Sequence, residues 1–209
     1  MLLTHTLSAN ILTLEQLDFI LKNKVKLELS DASKQAVTHC RRFLDNKLAT
    51  SDAAFYGINT GFGSLCHVRI SAKDAAILQE NLVRSHACGL GDEVPPTVVR
   101  LMLFLKIQSL AYGFSGVQLS TLERLIQFFN DDALPVIYQL GSLGASGDLA
   151  PLAHLALPLI GEGVVFYKNQ KMEAPQYLAE KGLKPLVLTE KEGLAMLNGT
   201  QFSAAYGVY

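Results

Sequence analysis

The sequence contains 209 residues, which is enough for one large domain or two small ones with hydrophobic cores of their own. Hydrophobic residues make up 49% of the chain and charged residues 18%, so the composition excludes a disordered protein, and a net charge of −1 without basic runs argues against a nucleic-acid partner. The three cysteines form no C-x-x-C pair, which disfavours a disulfide framework or a zinc site, and no metal is predicted.

The first predicted elements are two short strands with a helix between them. Residues 7–12 are assigned to the first strand, and residues 25–29 to the second, because apolar and charged side chains alternate in the latter segment. Thr13 and Gln16 have the spacing of a capping box, in which each side chain accepts a hydrogen bond from the other residue's backbone. This spacing predicts a helix through Leu21.

Two longer helices follow, separated by a loop. Ser30 or Asp31 caps the first helix, and a 3.6-residue period predicts its buried face. That face comprises Ala36, Val37, Cys40 and Phe43. Residues 53–65 contain three glycines and no helical pattern, so we expect a structured loop there. Ser71 and Asp74 begin the second helix, which ends before residues 89–96. Its predicted apolar side comprises Ala75, Ile77, Leu78, Leu82 and Val83.

The second half of the chain is also predicted to be mostly helical. Residues 98–111 are apolar on nearly every side, which favours a central, buried helix, and residues 117–129 form an amphipathic one. A small hairpin is expected around Asn169 and Gln170. Its strands are assigned to residues 164–167 and 171–172. Two short helical pieces are expected at residues 177–181 and 190–197.

A glycine- and serine-rich segment, residues 141–148, lies directly before an apolar helix that begins near Leu149. Asp148 is placed to cap this helix, and free N–H groups at a helix N-terminus favour an anion or an electron-withdrawing group. A phosphate-binding loop requires a lysine after the glycines, and none is present. A serine-hydrolase elbow requires a small residue at the position that Asp148 occupies. On composition alone, a structural turn into a buried helix explains the segment equally well.

No segment has the length and apolarity of a membrane span. The longest weakly polar stretch, residues 149–160, contains two prolines and a histidine and is shorter than the roughly 20 residues that cross a bilayer. Residues 1–5 lack the features of a secretory signal, so a cytoplasmic location without membrane partners is expected.

Four motifs resemble those of the aromatic amino acid ammonia-lyase family, in the family's order. They are Y-G-I-N-T-G-F-G at 56–63, L-Q-E-N-L-V-R-S-H at 78–86, G-A-S-G-D-L-A-P-L-A-H at 144–154 and K-E-G-L-A-M-L-N-G-T-Q at 191–201. In that family the Gly nitrogen of an Ala-Ser-Gly triplet bonds to the Ala carbonyl carbon with loss of water, and the Ser loses its hydroxyl as a second water. The resemblance implies that Ala145, Ser146 and Gly147 form this methylidene-imidazolone group, MIO.

The resemblance also implies roles for individual side chains. Tyr56 matches the lid tyrosine that removes the substrate's β-proton; otherwise it would be a packed loop aromatic. His86 matches the histidine near the substrate's ring; otherwise it would be a surface or capping residue. Asn198 matches the asparagine that bonds the prosthetic group or the substrate, and Gly63 would leave room for substrate. We assign His154 a buried, hydrogen-bonded structural role rather than a catalytic one.

The implied fold is mainly α: a small mixed α/β N-terminal domain, residues 1–113, followed by the beginning of a long helical bundle, residues 114–209. The implied reaction is elimination of ammonia from an amino acid, with L-histidine and urocanate favoured by Ser85-His86. The open alternatives are a tyrosine ammonia-lyase or aminomutase of the same family, and an inactive fragment or unprocessed scaffold. Family members are longer homotetramers, and their carboxylate-binding arginine lies later in the chain, so these 209 residues alone are expected to be inactive.

Overall fold

The computed structural model describes residues 3–209. Residues 1 and 2, which belong to the segment 1–5 considered as a secretory signal, lie outside this range. The fold is mainly helical, as the resemblance implied. The elements are β1 (Thr4–Leu7), α1 (Leu14–Lys22), β2 (Lys26–Leu29), α2 (Asp31–Thr50), a 3-10 helix (Gly63–Leu65), α3 (Ala72–His86), β3 (Leu90–Glu93), α4 (Pro96–Ala111), α5 (Leu119–Asp131), β4 (Leu134–Pro135), β5 (Tyr138–Leu140), α6 (Leu149–Ala156), a second 3-10 helix (Leu157–Ile160), β6 (Val164–Tyr167), β7 (Gln170–Glu173), α7 (Ala174–Glu180), α8 (Glu192–Leu197) and α9 (Gln201–Val208).

The first strand lies earlier than the sequence suggested. β1 ends at Leu7 and pairs in parallel with β2, with Leu7 opposite Leu29, and both of these side chains are buried. The prediction of a strand over residues 7–12 was wrong because residues 8–12 lie at the surface outside any strand, where Ile11 is 91% exposed. A parallel pair needs a crossover connection, and α1 supplies it.

Helix starts are predicted better than helix faces. Thr13 and Gln16 form the capping box of α1. Of the two candidates for α2, Ser30 rather than Asp31 is the cap, and Ser71 caps α3. The predicted buried faces contain two errors, since Phe43 is 65% exposed and Ile77 57% exposed. In α2 the buried positions beyond Val37 are Arg41 and Leu44, so the buried face is rotated from the predicted one.

The structure differs from the prediction in two small sheets: one was not predicted, and the other has its turn at a different position. β3 pairs antiparallel with β5, although residues 89–96 were expected only to end a helix. All four residues of β3 are exposed, so no apolar alternation marks the strand. β6 and β7 form the expected hairpin, with β4 on the other edge of β6. The hairpin turn is at Lys168 and Asn169, both with positive φ, one residue earlier than expected.

Helix α4 is the centre of the hydrophobic core. It packs against α2, α5 and α9, and its side chains Met102, Leu103, Phe104 and Ile107 are completely buried. The ring of Phe104 lies 6.0 Å from that of Phe129 on α5, in a tilted aromatic pair. Within residues 3–209, no helix combines the length and apolarity that crossing a membrane requires.

A buried carboxylate joins α8 to the N-terminus of α5. Glu192, the first residue of α8, is fully buried, and its two oxygens accept five hydrogen bonds. The donors are Gln118 N (2.9 Å), Gln118 Nε2 (2.9 Å), Thr121 Oγ1 (2.6 Å), Thr189 N (2.9 Å) and Thr189 Oγ1 (3.0 Å). Charge-assisted bonds of this kind compensate the cost of burying the carboxylate, which therefore fixes the position of α8.

Glu192→Gln is expected to lower the free energy of unfolding by about 2 kcal/mol, because the amide NH₂ replaces an acceptor and faces donors. Urea denaturation followed by circular dichroism measures the change. Glu173→Gln is the matched control, since Glu173 is exposed and its side chain makes no capping bond; its effect should stay within about 0.5 kcal/mol. Equal losses for the two variants would contradict the assigned role of Glu192.

Candidate functional site

The glycine-rich segment 141–148 connects β5 to α6 and makes a turn in which the backbone bends at residues 145–147. Gly141, Gly144 and Gly147 all have positive φ, of 133°, 76° and 117°. A Cβ built on Gly147 would lie 2.7 Å from the carbonyl oxygen and 2.9 Å from the nitrogen of Gly199. Both the backbone angle and this close approach require glycine at position 147.

Asp148 occupies the predicted N-cap position of α6, but its side chain makes no capping bond there. Its carboxylate is 1% exposed and accepts hydrogen bonds from Ser142 Oγ (3.1 Å), Ser203 Oγ (2.7 Å) and Ser203 N (2.8 Å). Ser203 lies in the first turn of α9, whose free N–H groups need acceptors. Asp148 therefore caps α9 rather than α6, and its own N–H donates to Gly199 O at 2.7 Å.

A cavity of about 190 Å³ lies beside the turn. It brings the end of α3 together with the Ala-Ser-Gly triplet. The lining residues are Ser85, His86, Cys88, Gly141, Leu143, Ala145, Ser146, Gly147, Leu149 and Ala150. Four of the seven residues singled out from the sequence, His86, Ala145, Ser146 and Gly147, thus share one cavity. Along the chain, β3, α4, α5, β4 and β5 lie between α3 and the turn.

The imidazole of His86 has a defined tautomer in its neutral form. Its Nδ1 lies 2.9 Å from the carbonyl oxygen of Leu82 and 3.1 Å from Ser85 Oγ. A carbonyl oxygen can only accept, so Nδ1 carries the proton and Nε2 is the acceptor nitrogen of the neutral ring. The cavity is thus bordered by a histidine that can accept a hydrogen bond from a polar ligand.

Tyr56 and Gly63 lie on the predicted loop and do not line the cavity. Tyr56 is 60% exposed, with its ring 6.0 Å from that of Phe62 in an edge-on contact. The base of the loop is ordered by the buried Asn59, whose side chain accepts from Phe55 N (2.7 Å) and donates to Ala53 O (2.9 Å). Gly63 has φ of +56°, and a Cβ there would meet no heavy atom within 4 Å. The loop therefore combines a fixed base with an exposed tyrosine.

Asn198 also lies outside the cavity lining, at the end of α8, with an exposed side chain. Its backbone nevertheless reaches the site, because the next residue, Gly199, is the one that contacts Gly147. His154 makes the hydrogen bond predicted for it, although it is half-buried rather than buried: Nε2 accepts from Gly89 N at 3.0 Å, and partial burial lowers the pKa of the imidazole. Among the described residues, no group of three His, Cys, Asp or Glu side chains could hold a metal ion.

Lys106, one of the few polar residues of the apolar helix and given no role from the sequence, is 1% exposed in α4. Its Nζ donates to the carbonyl oxygens of Ala195 (2.9 Å) and Asn198 (3.2 Å) at the end of α8. Burial lowers the pKa of this amine from its ordinary 10.5 to about 7. A lysine within an otherwise apolar helix was the signal available in the sequence, since such a residue requires polar partners in the core.

The family profile described as aromatic amino acid lyase matches residues 12–209, almost the whole chain. The chain belongs to this family. Histidine ammonia-lyase of Myxococcus xanthus is 48% identical over 196 residues, which are 94% of this chain and 38% of that protein. Histidine ammonia-lyase of Geobacillus thermodenitrificans is 46% identical over 202 residues, 97% of this chain and 40% of that protein.

Solved structures of the aromatic amino acid lyase family share the fold. Histidine ammonia-lyase from Trypanosoma cruzi has a TM-score of 0.88 at 35% identity, covering 99% of this chain and 39% of that one. Tyrosine aminomutase from Streptomyces globisporus has a TM-score of 0.90 at 34% identity, covering 99% and 38%. This chain therefore spans about two fifths of the length of the relatives that it matches.

The lowered pKa of Lys106 predicts a pH-dependent stability. Between pH about 7 and about 10 the unfolded chain holds a proton on this amine that the folded chain has released, so the free energy of unfolding rises with pH in that window. Lys106→Met is expected to remove this contribution and flatten the rise. Thermal unfolding midpoints of both proteins across the window provide the measurement, and identical slopes would disprove the assignment.

Proposed function

We propose that the full-length protein containing this chain is an ammonia-lyase that eliminates ammonia from L-histidine to give urocanate. The observation that carries this proposal is the cavity in which His86 adjoins Ala145, Ser146 and Gly147. The identities of 48% and 46% to proteins named histidine ammonia-lyase support both the reaction class and the substrate. The whole reaction is proposed for the longer protein, because this chain matches only about two fifths of those relatives.

The residues of the turn fit the formation of MIO. Gly147 has no side chain that would hinder its nitrogen, and the contact with Gly199 leaves no room for one. Ser146 is exposed on the cavity wall and carries a hydroxyl that can leave as water. The group formed from Ala145, Ser146 and Gly147 would supply an electrophilic methylidene carbon to the cavity.

We assign the remaining roles from the family motifs. Tyr56 would remove the β-proton of the substrate when its loop covers the site, and the exposure of its ring is compatible with such a movement. His86 would contact the substrate's ring through Nε2, since Nδ1 is engaged by the backbone. Asn198 would bond the prosthetic group or the amino acid part of the substrate, and the open space at Gly63 would admit substrate.

The family resemblance supports three further proposals about the longer protein. Residues 1–113 would form a unit that contributes the loop and His86, and residues 114–209 would begin the helical bundle that contains the triplet. The protein would be a cytoplasmic homotetramer. Its partner would be a small amino acid substrate rather than a nucleic acid or a membrane.

Intact-mass measurement tests the formation of MIO directly. The full-length protein is expected to be lighter than its sequence mass by two water molecules, whereas Ser146→Ala lacks the hydroxyl and cannot form the methylidene. Ammonia release by this variant should fall by at least about a thousandfold. Ser120→Ala, at an exposed position of α5, is the control and should keep both the mass loss and the activity. An unshifted wild-type mass would favour the unprocessed-scaffold alternative.

Comparison of L-histidine with L-tyrosine tests the substrate. L-histidine is expected to be converted to urocanate, followed by its ultraviolet absorbance, and L-tyrosine to be a poor substrate. The similarity to a tyrosine aminomutase structure is the observation that favours L-tyrosine as the alternative substrate. Conversion of L-tyrosine alone would establish that alternative and contradict the histidine reaction. The purified 209-residue chain is the second arm and should turn over L-histidine negligibly, because it spans only about two fifths of the length of those relatives.

A further inference from the structure

The peptide unit that joins Asn198 to Gly199 is held from two sides. Its carbonyl oxygen, on Asn198, accepts from Lys106 Nζ at 3.2 Å. Its nitrogen, on Gly199, lies 2.9 Å from the position that a Cβ of Gly147 would occupy. Because a peptide unit is planar, fixing the oxygen also fixes the direction of the nitrogen on the opposite edge. Lys106 thus acts on the same rigid group that Gly147 packs against.

Lys106 is well suited to hold this group in place. Its neighbours on α4, Leu103 and Ile107, are completely buried in the core, so the stem of the side chain has little freedom to move. Its Nζ bonds two carbonyls near the end of α8, Ala195 O and Asn198 O, which have no continuing helix to pair with. Burial alone accounts for its lowered pKa, with no charged neighbour contributing. A neutral amine has two N–H groups, which match the two acceptors.

We propose that Lys106 is a positioning residue: it orients the Asn198–Gly199 peptide against Gly147 and so holds residues 145–147 in the compact turn from which the ring closes. This inference rests on the proposed function, since it concerns the formation of the same prosthetic group. The bond between Asp148 N and Gly199 O, at 2.7 Å, joins the next peptide unit, Gly199–Thr200, to the residue that follows the triplet and holds the two segments together. Ser203, which holds Asp148, supports the turn from α9.

A purely structural role for Lys106, as a cap for α8, has different consequences. Loss of the amine would then lower thermal stability without changing the chemistry of the molecules that remain folded. A positioning role predicts instead that folded molecules retain the unprocessed triplet. The readout that separates the two roles is therefore the mass of the folded protein together with its kinetic constants.

The experiment uses Lys106→Met in the full-length protein. Met retains the length of the stem but has no N–H donor. We expect a large fraction of the folded variant to keep the unshifted mass, and kcat per molecule to fall by about tenfold or more while KM changes little, because the processed molecules bind substrate normally. Ile107→Ala is the matched control: it opens a cavity at the next residue of α4, equally buried, without removing a hydrogen-bond donor.

Complete loss of two waters and full kcat in Lys106→Met would overturn the proposal. An equal defect in Ile107→Ala would also overturn it, since general destabilisation would then suffice. Where Lys106→Met yields no folded protein, Lys106→Leu, which also lacks a donor, replaces it, and full processing of that variant with normal kcat counts against the proposal in the same way. An unshifted mass of the wild type would refute the proposed function itself, and this outcome is separate from the others.

Discussion

The contact between Gly147 and Gly199 is the constraint on which the site depends. Two backbone segments approach so closely here that position 147 tolerates no side chain, since a Cβ on Gly147 would lie 2.7 Å from Gly199 O. The approach is stabilised by the bond from Asp148 N to Gly199 O and by the bonds from Ser203 to Asp148. The turn therefore owes its shape to α8 and α9 as much as to its own glycines.

Helix α8 connects the other parts of the site, although it has only six residues. Its first residue, Glu192, bonds the N-terminus of α5, and Gly193 packs against the backbone of Gln79 on α3, the helix that carries His86. Leu194 contacts Gly57 at the base of the loop that carries Tyr56, and Ala195 accepts from Lys106. A displacement of α8 would thus disturb the loop, the histidine and the turn together.

Local signals in the sequence predicted the parts of the fold that depend on local interactions. The capping box at Thr13, the serine caps and the buried character of α4 follow from adjacent residues and were predicted correctly. β3 was missed because its side chains are exposed and only its pairing with β5 makes it a strand. Asp148 was assigned to α6, the next helix in the chain, because its actual partner lies 55 residues later.

The site was predicted through family motifs rather than through physical pattern. The motifs identified His86 and the triplet that share the cavity, but composition alone gave no reason to bring them together. Lys106 lay outside every motif that was considered, and its role follows from which carbonyls its amine reaches, a property of the packed core that no spacing along the chain encodes.

The bond between Ser203 and Asp148 has a consequence for the order of folding. It closes a loop of 55 residues, and a contact of this sequence separation forms only after a substantial loss of chain entropy, later than the helices it joins. Until α9 docks, Asp148 has no donor from that helix, and residues 145–147 lack this constraint. The geometry of the turn is thus acquired with the tertiary structure, and a chain whose synthesis has not yet reached residue 203 lacks the groups that impose it.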